Sequence, residues 1–140
     1  MKNQSLLLLI FFFLLTLISG CDSFDDNNLF ANVLINEGPI GDIGGDFIGN
    51  GGSTTQTFEY KNRLPTAEYN ADITASANGR FQMIVRDAVG TIVLDRALDG
   101  DMEPDSFSGV TSLGVAGTWS VTINLNDFKG DGSFSLSEGD

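Results

Sequence analysis

Trp119-Ser120-Val121-Thr122-Ile123-Asn124-Leu125 places Trp119, Val121, Ile123 and Leu125 on one side of an extended chain. Ser120, Thr122 and Asn124 fall on the other side. A period of two marks a strand with one face on a core and one in water. The pattern recurs outward from this segment. Tyr69, Ala71, Ile73 and Ala75 alternate with Asn70, Asp72 and Thr74. Phe58 and Tyr60 alternate with Thr57, Glu59 and Lys61, and Phe134 and Leu136 with Ser133, Ser135 and Ser137. Phe81, Met83 and Val85 repeat it less cleanly, because Ile84 sits on the opposite face.

The punctuation suits short antiparallel strands. Asp87-Ala88-Val89-Gly90 reads as a hairpin joining strands at 81–86 and 91–97, with Gly90 at the position that needs positive φ. Gly130-Asp131-Gly132 reads as a second hairpin, between the Trp119 strand and a separate final strand at Phe134. Weaker alternation marks strands at 29–35 and 106–113. Residues 38–52 hold seven glycines and read as a mobile surface loop, given the entropy lost when glycine is ordered. No lysine or helical pattern follows to make it a phosphate loop. The expected fold is all-β: a jelly-roll-like antiparallel sandwich of about seven to nine short strands.

Composition narrows the chemistry. The 140-residue chain carries 7 basic and 19 acidic residues, a net charge of −12. So acidic a surface repels phosphate backbones and anionic headgroups, so nucleic acid is not an expected partner. Histidine is absent, which removes the usual general base, a common zinc ligand and the Ser-His and Cys-His nucleophile pairs. Neither Lys61 nor Lys129 stands in a Ser-x-x-Lys arrangement. Carboxylate-based hydrolysis needs two acids facing across a cleft, which a sequence cannot display.

Asp95, Asp99, Asp101, Glu103 and Asp105 crowd into eleven residues. Calcium takes six to eight oxygen ligands from such loops, and Asp99, Asp101, Glu103 and Asp105 are the candidate set. The spacing is not that of an EF-hand, and a solvated acidic loop is the competing reading. Asp127 and Asp131, flanking Lys129, form a weaker candidate. Trp119, Tyr60 and Tyr69 share faces with aliphatic residues, so they read as core rather than as sugar-stacking platforms.

The N-terminus has a different character. Lys2 precedes an apolar run at 6–18, then Ser19 and Gly20, then Cys21, the only cysteine. This is the layout of a secretory signal peptide, with its apolar run too short to span a bilayer. Leu17-Ile18-Ser19-Gly20-Cys21 resembles the lipobox of bacterial lipoproteins. That resemblance implies recognition of Ile18, Ser19 and Gly20 by a signal peptidase, cleavage before Cys21, and a diacylglyceryl group on its thiol. Cleavage leaves 6 basic against 19 acidic residues, a net charge of about −13. With Cys21 acylated no thiol remains for a disulfide, and packing alone must hold the fold. The expected organisation is a signal peptide at 1–20, an acidic tether at 21–28 and one domain at 29–140. An aspartate directly after the lipidated cysteine resembles an enterobacterial inner-membrane retention signal. The acidic cluster of Asp22, Asp25 and Asp26 resembles the surface-export signal of Bacteroidetes-type lipoproteins.

Gly117-Thr118-Trp119-Ser120-Val121-Thr122-Ile123, followed by Gly130-Asp131-Gly132-Ser133-Phe134, resembles the closing hairpin of bacterial pre-peptidase C-terminal and P-type β-sandwich modules. Those modules are noncatalytic appendages, some of which bind calcium or polysaccharide. The resemblance implies a structural role for Trp119. The expectation is a noncatalytic, membrane-anchored envelope protein without a resident cofactor, binding a partner protein or a glycan. A calcium-dependent carbohydrate-binding module is the alternative, and a small carboxylate hydrolase the third.

Overall fold

The computed structural model describes residues 28–139. Cys21, the lipobox and all of the tether before Asn28 lie outside the described residues. Seven strands follow: β1 Ala31–Glu37, β2 Asp42–Asn62, β3 Ala67–Ile73, β4 Asn78–Arg86, β5 Ile92–Asp99, β6 Ser106–Val110 and β7 Gly117–Glu138. Every pairing between them is antiparallel. The all-β sandwich is thus the observed fold, with a strand count at the lower end of expectation.

Two strands differ in kind from the rest. β2 has 21 residues and β7 has 22. At about 3.3 Å per residue a straight strand of that length would run roughly 70 Å, about twice the width of a small domain. Both therefore bend, and they bend together. The β2–β7 register shifts on either side of Gly52, and the β4–β7 register shifts between Asn78 and Arg80. Gly51, Gly79 and Gly130 have positive φ there, and so does Asp127 at 46°. Such bulges bend a strand and increase its local twist. The Ser53 hydroxyl accepts the Asp127 N–H at 2.8 Å, supplying a partner at the bend.

The bend turns one strand pair into two layers. On one side of it, the second half of β2 and the first half of β7 continue into β4 and β5. On the other side, β1, the first half of β2, the second half of β7, β3 and β6 form the second layer. Between the layers Phe47 stacks on Phe81, with centroids 4.5 Å apart and planes 7° off parallel. Phe128, at the corner, meets Phe47 edge-on at 5.4 Å. Trp119, Val121, Ile123 and Leu125 are all buried, as their alternation requires. At the far end Lys61 donates to Pro39 and accepts from Gly41, each at 3.0 Å. The Arg63–Glu138 ion pair at 3.0 Å lies beside this join. Along another margin Arg96 sits 5.1 Å over the Phe107 ring and reaches the Tyr69 hydroxyl, tying β5 to β6 and β3.

Two expectations fail here, for one reason. Gly130-Asp131-Gly132 is no hairpin but the interior of β7, and the final strand at Phe134 is the same strand as that of Trp119. Most of the glycine-rich 38–52 segment is likewise the first half of β2 rather than a loop. The glycines are there because neighbours come too close for a side chain. A Cβ on Gly45 would strike the Leu34 carbonyl, on Gly49 the Phe128 carbonyl, and on Gly132 the Phe47 ring and the Asp72 carbonyl. Glycine in these strands permits close approach.

Phe47→Ala removes the ring that both layers share, so it should lower unfolding free energy by on the order of 3–5 kcal/mol in urea titrations. Val89→Ala, at an exposed hairpin position, should change it by less than about 0.5 kcal/mol.

Candidate functional site

The acidic segment does not gather as a set. Asp99 is drawn into an ion pair with Arg80 at 2.5 Å, and Asp95 accepts from Gln82 at 2.7 Å. Asp101, with φ of 61°, lines a cavity of about 210 Å³ together with Glu103 and Asp105, beside Ile73, Thr74 and Ala75. The Asp105 carbonyl is occupied by the Ile73 N–H at 2.8 Å. Among the described residues no three His, Cys, Asp or Glu side chains form a group that could hold a metal ion. Asp127 and Asp131 are separated by their roles: one sits at the bend beside Ser53, the other beside Thr74.

The aromatic residues are committed inward. Trp119 is fully buried, and its indole N–H donates to the Val115 carbonyl at 2.7 Å. Tyr60 and Tyr69 are also buried. Burial pushes the Tyr60 phenol well above its ordinary value; the Asn62 side chain opposes the shift and Glu138 adds to it. Asn62 nevertheless makes no hydrogen bond to that hydroxyl. A phenol so held is no general base. Among the described residues Phe30 alone presents an exposed aromatic ring.

The two outer faces differ in what they leave free. On the β4–β5 layer a patch of polar side chains is cross-bonded, while Thr55, Glu59 and Ser120 have no protein partner among the described residues. Asn124 donates to Gln82 at 3.1 Å, Gln82 donates to Asp95, and Thr57 pairs with Thr122 at 2.8 Å. On the second layer the register lines up Gly44, Ser135, Asn70 and Ser108 in one row, and Asp42, Ser137, Glu68 and Val110 in the next. The small residues leave a groove of about 510 Å³, bordered by Glu68, Asn70, Ser108, Val110, Ser135 and Ser137, with Tyr69 and Gly109 at its base. Among the described residues the side chains of Glu68, Asn70, Ser108, Ser135 and Ser137 have no protein partner. One row away, by contrast, Ser133 already bonds Asp72 at 2.6 Å. The groove therefore offers hydroxyl, amide and carboxylate groups to a ligand. It has one carboxylate, Glu68, where glycoside hydrolysis needs two.

Sequence reading located Asn70, Ser135 and Ser137 on an outer face but did not single them out, and it did not place Glu68 or Ser108. The available signal was Ser133, Ser135 and Ser137 at a spacing of two. What brings them beside Asn70 and Glu68 is long-range register, which no local pattern records.

A buried carboxylate organises the end of the sandwich where the layers are joined. Asp87 accepts backbone N–H groups from Val115 at 2.9 Å, Val89 at 3.1 Å and Thr91 at 2.7 Å. The Val115 bond, then those from Thr91 and Val89, hold its pKa below the ordinary 3.8 against the opposing cost of burial. At Glu138 the backbone and side chain of Arg63 act the same way.

No protein-family model matches the chain, and no curated protein matches it. Among solved structures it is similar to a carbohydrate-binding module of family 61 in complex with beta-1,4-galactotriose. That match has 9% identity and a TM-score of 0.38, covering 79% of this chain and 66% of the other. A second, described as a carbohydrate-binding module of family 4, gives 10% identity and a TM-score of 0.37 over 82% of both chains. At such distances the likeness does not extend to a ligand.

A depressed carboxylate pKa stabilises the fold above the unfolded value, and that contribution fades as pH falls through the folded one. Asp87→Asn should therefore melt below the parent at pH 7. The two melting curves should converge as pH drops below about 4, read by circular dichroism across a pH series.

Proposed function

We propose that the protein is a noncatalytic glycan-binding module, held at a bacterial cell envelope by a lipid on Cys21 and gripping its ligand in the β7–β3–β6 groove. The observation that carries the reading is the set of five unengaged polar side chains that line one groove together. Sugars present many hydroxyls, each able to donate and accept, and such a set meets them without a charge of its own beyond Glu68. The acidity of the chain favours a neutral polysaccharide over an anionic one. With no exposed aromatic ring in the groove, recognition rests on hydrogen bonds rather than stacking.

The lipid reading rests on the lipobox resemblance at 17–21 and the apolar run before it. A diacylglyceryl group, with further acylation of the new amino terminus, provides the two or more chains that stable anchoring requires. The chain joins the domain at the bend: the Phe30 N–H donates to the Asn50 side chain at 2.6 Å, and Asn50 donates back to the Asn28 carbonyl at 3.2 Å. The groove lies at the other end of the same layer, about six residues further along β7, or roughly 20 Å at strand spacing. A bilayer at the tether would leave the groove facing outward.

The 22–140 domain on a glycan array should retain neutral polysaccharides, and Asn70→Ala should weaken binding about tenfold, the loss expected for one or two hydrogen bonds. Silence across the array would sink the glycan reading. The array repeated in calcium and in chelator should give the same result; binding only with calcium would move recognition to the Asp101, Glu103 and Asp105 cavity.

In a bacterial host given radiolabelled palmitate, the full chain should take up label and stay with membranes. Cys21→Ser should abolish the labelling and leave an uncleaved precursor. Equal labelling of the two would remove the lipid from Cys21.

A further inference from the structure

The margin of the second layer formed by β1 is open. β1 pairs with β2 alone among the described residues. The margins at β5 and β6, in contrast, are bridged by Arg96 and by the Ser112 N–H donating to the Val93 carbonyl. An open edge is a template for another strand, and proteins usually blunt one with lysine, proline or an inward charge. None of these occurs in 31–36. In so acidic a chain, this edge is a stretch without charge.

Its sequence is also close to a palindrome. Asn32-Val33-Leu34-Ile35-Asn36 reads asparagine, β-branched, leucine, β-branched, asparagine in both directions. An antiparallel copy centred on Leu34 sets Leu34 against Leu34, Val33 against Ile35 and Asn32 against Asn36. The backbone parity suits that register. The Asn50 N–H donates to the Phe30 carbonyl at 3.0 Å, so the two-residue period of the ladder turns the backbone groups of Asn32 and Leu34 toward β2. Those of Val33 and Ile35 then face outward. Two Val33–Ile35 pairs would exchange hydrogen bonds, with the Leu34 side chains closest at the two-fold axis. Leu34 is 63% exposed, so its side chain is available to a partner strand. Glu37, the one acid on the strand, would stand at opposite ends in the two copies and not face itself.

We infer that β1 is a self-pairing edge, and that the partner it fits is a second copy of this chain, joined antiparallel about Leu34 into a sheet continuous across both molecules. The geometry is that of a closed two-fold interface, in which the same residues serve both sides.

The full-length chain, extracted in detergent and examined by light scattering with the micelle subtracted, should be a dimer. Leu34→Lys sets two like charges on the axis and should give a monomer, whereas Leu113→Lys, at an exposed site away from β1, should remain a dimer. Leu34→Cys supplies an independent readout should the lysine variant fail to fold. Mild oxidation in membranes should link the introduced thiols into a covalent dimer absent from the parent chain, which controls for Cys21. A monomeric parent, a dimer indifferent to Leu34→Lys, or oxidation giving no more cross-link than the parent would each overturn the assignment.

Discussion

The structure depends on one shared bend. β2 and β7 lie side by side from Asp42 and Ser137 at one end to Asn62 and Gly117 at the other, and they turn together where Gly51, Asp127 and Gly130 leave the usual strand conformation. Because each strand belongs to both layers, the layers face each other by covalent continuity and not by packing alone. The Phe47–Phe81 stack then fills a space that the bend has already defined. In a domain without a disulfide among its described residues, this continuity supplies part of the constraint that cross-links give elsewhere.

The bend also separates two uses of polar surface. Alternation along a strand decides which side chains face out, but lateral register decides whether they meet partners. On the β4–β5 layer, Gln82, Asp95, Asn124, Thr57 and Thr122 fall within reach of one another and bond. On the other layer the row through Gly44, Ser135, Asn70 and Ser108 consists of short side chains, too short to reach across a strand. The same strand pair thus yields one face with a cross-bonded polar patch and another with a groove of unpartnered side chains.

The period of two in 119–125 and 69–73 was legible because burial acts residue by residue; Ala75, expected on the same inward face, lies past the end of β3 and is exposed. Glycine was misleading because it has two meanings. At Gly90 it marks a real turn, with φ of 87°; at Gly45, Gly49 and Gly132 it marks crowding between strands. Sequence composition cannot tell these apart, since the crowding neighbours, Leu34, Phe128, Phe47 and Asp72, lie up to eighty-five residues away. The groove was illegible for the same reason. Ser135 meets Asn70 across sixty-five residues of chain. The acidic segment shows the converse: five carboxylates close in sequence are dispersed by strand β5, which sends Asp95 and Asp99 to partners on β4.

Pairing Asp42 with Ser137 has a consequence for the order of events when the chain is made. Contacts so distant in sequence form late and slowly, since a long loop must close before any of them is gained. A chain emerging amino terminus first holds the first half of β2 without its β7 partner until residues 128–137 have appeared. Until then neither layer has its central strand pair. The β4–β5 hairpin, whose partners are close in sequence, can pair early, while the strand pair that joins the two layers must wait for β7.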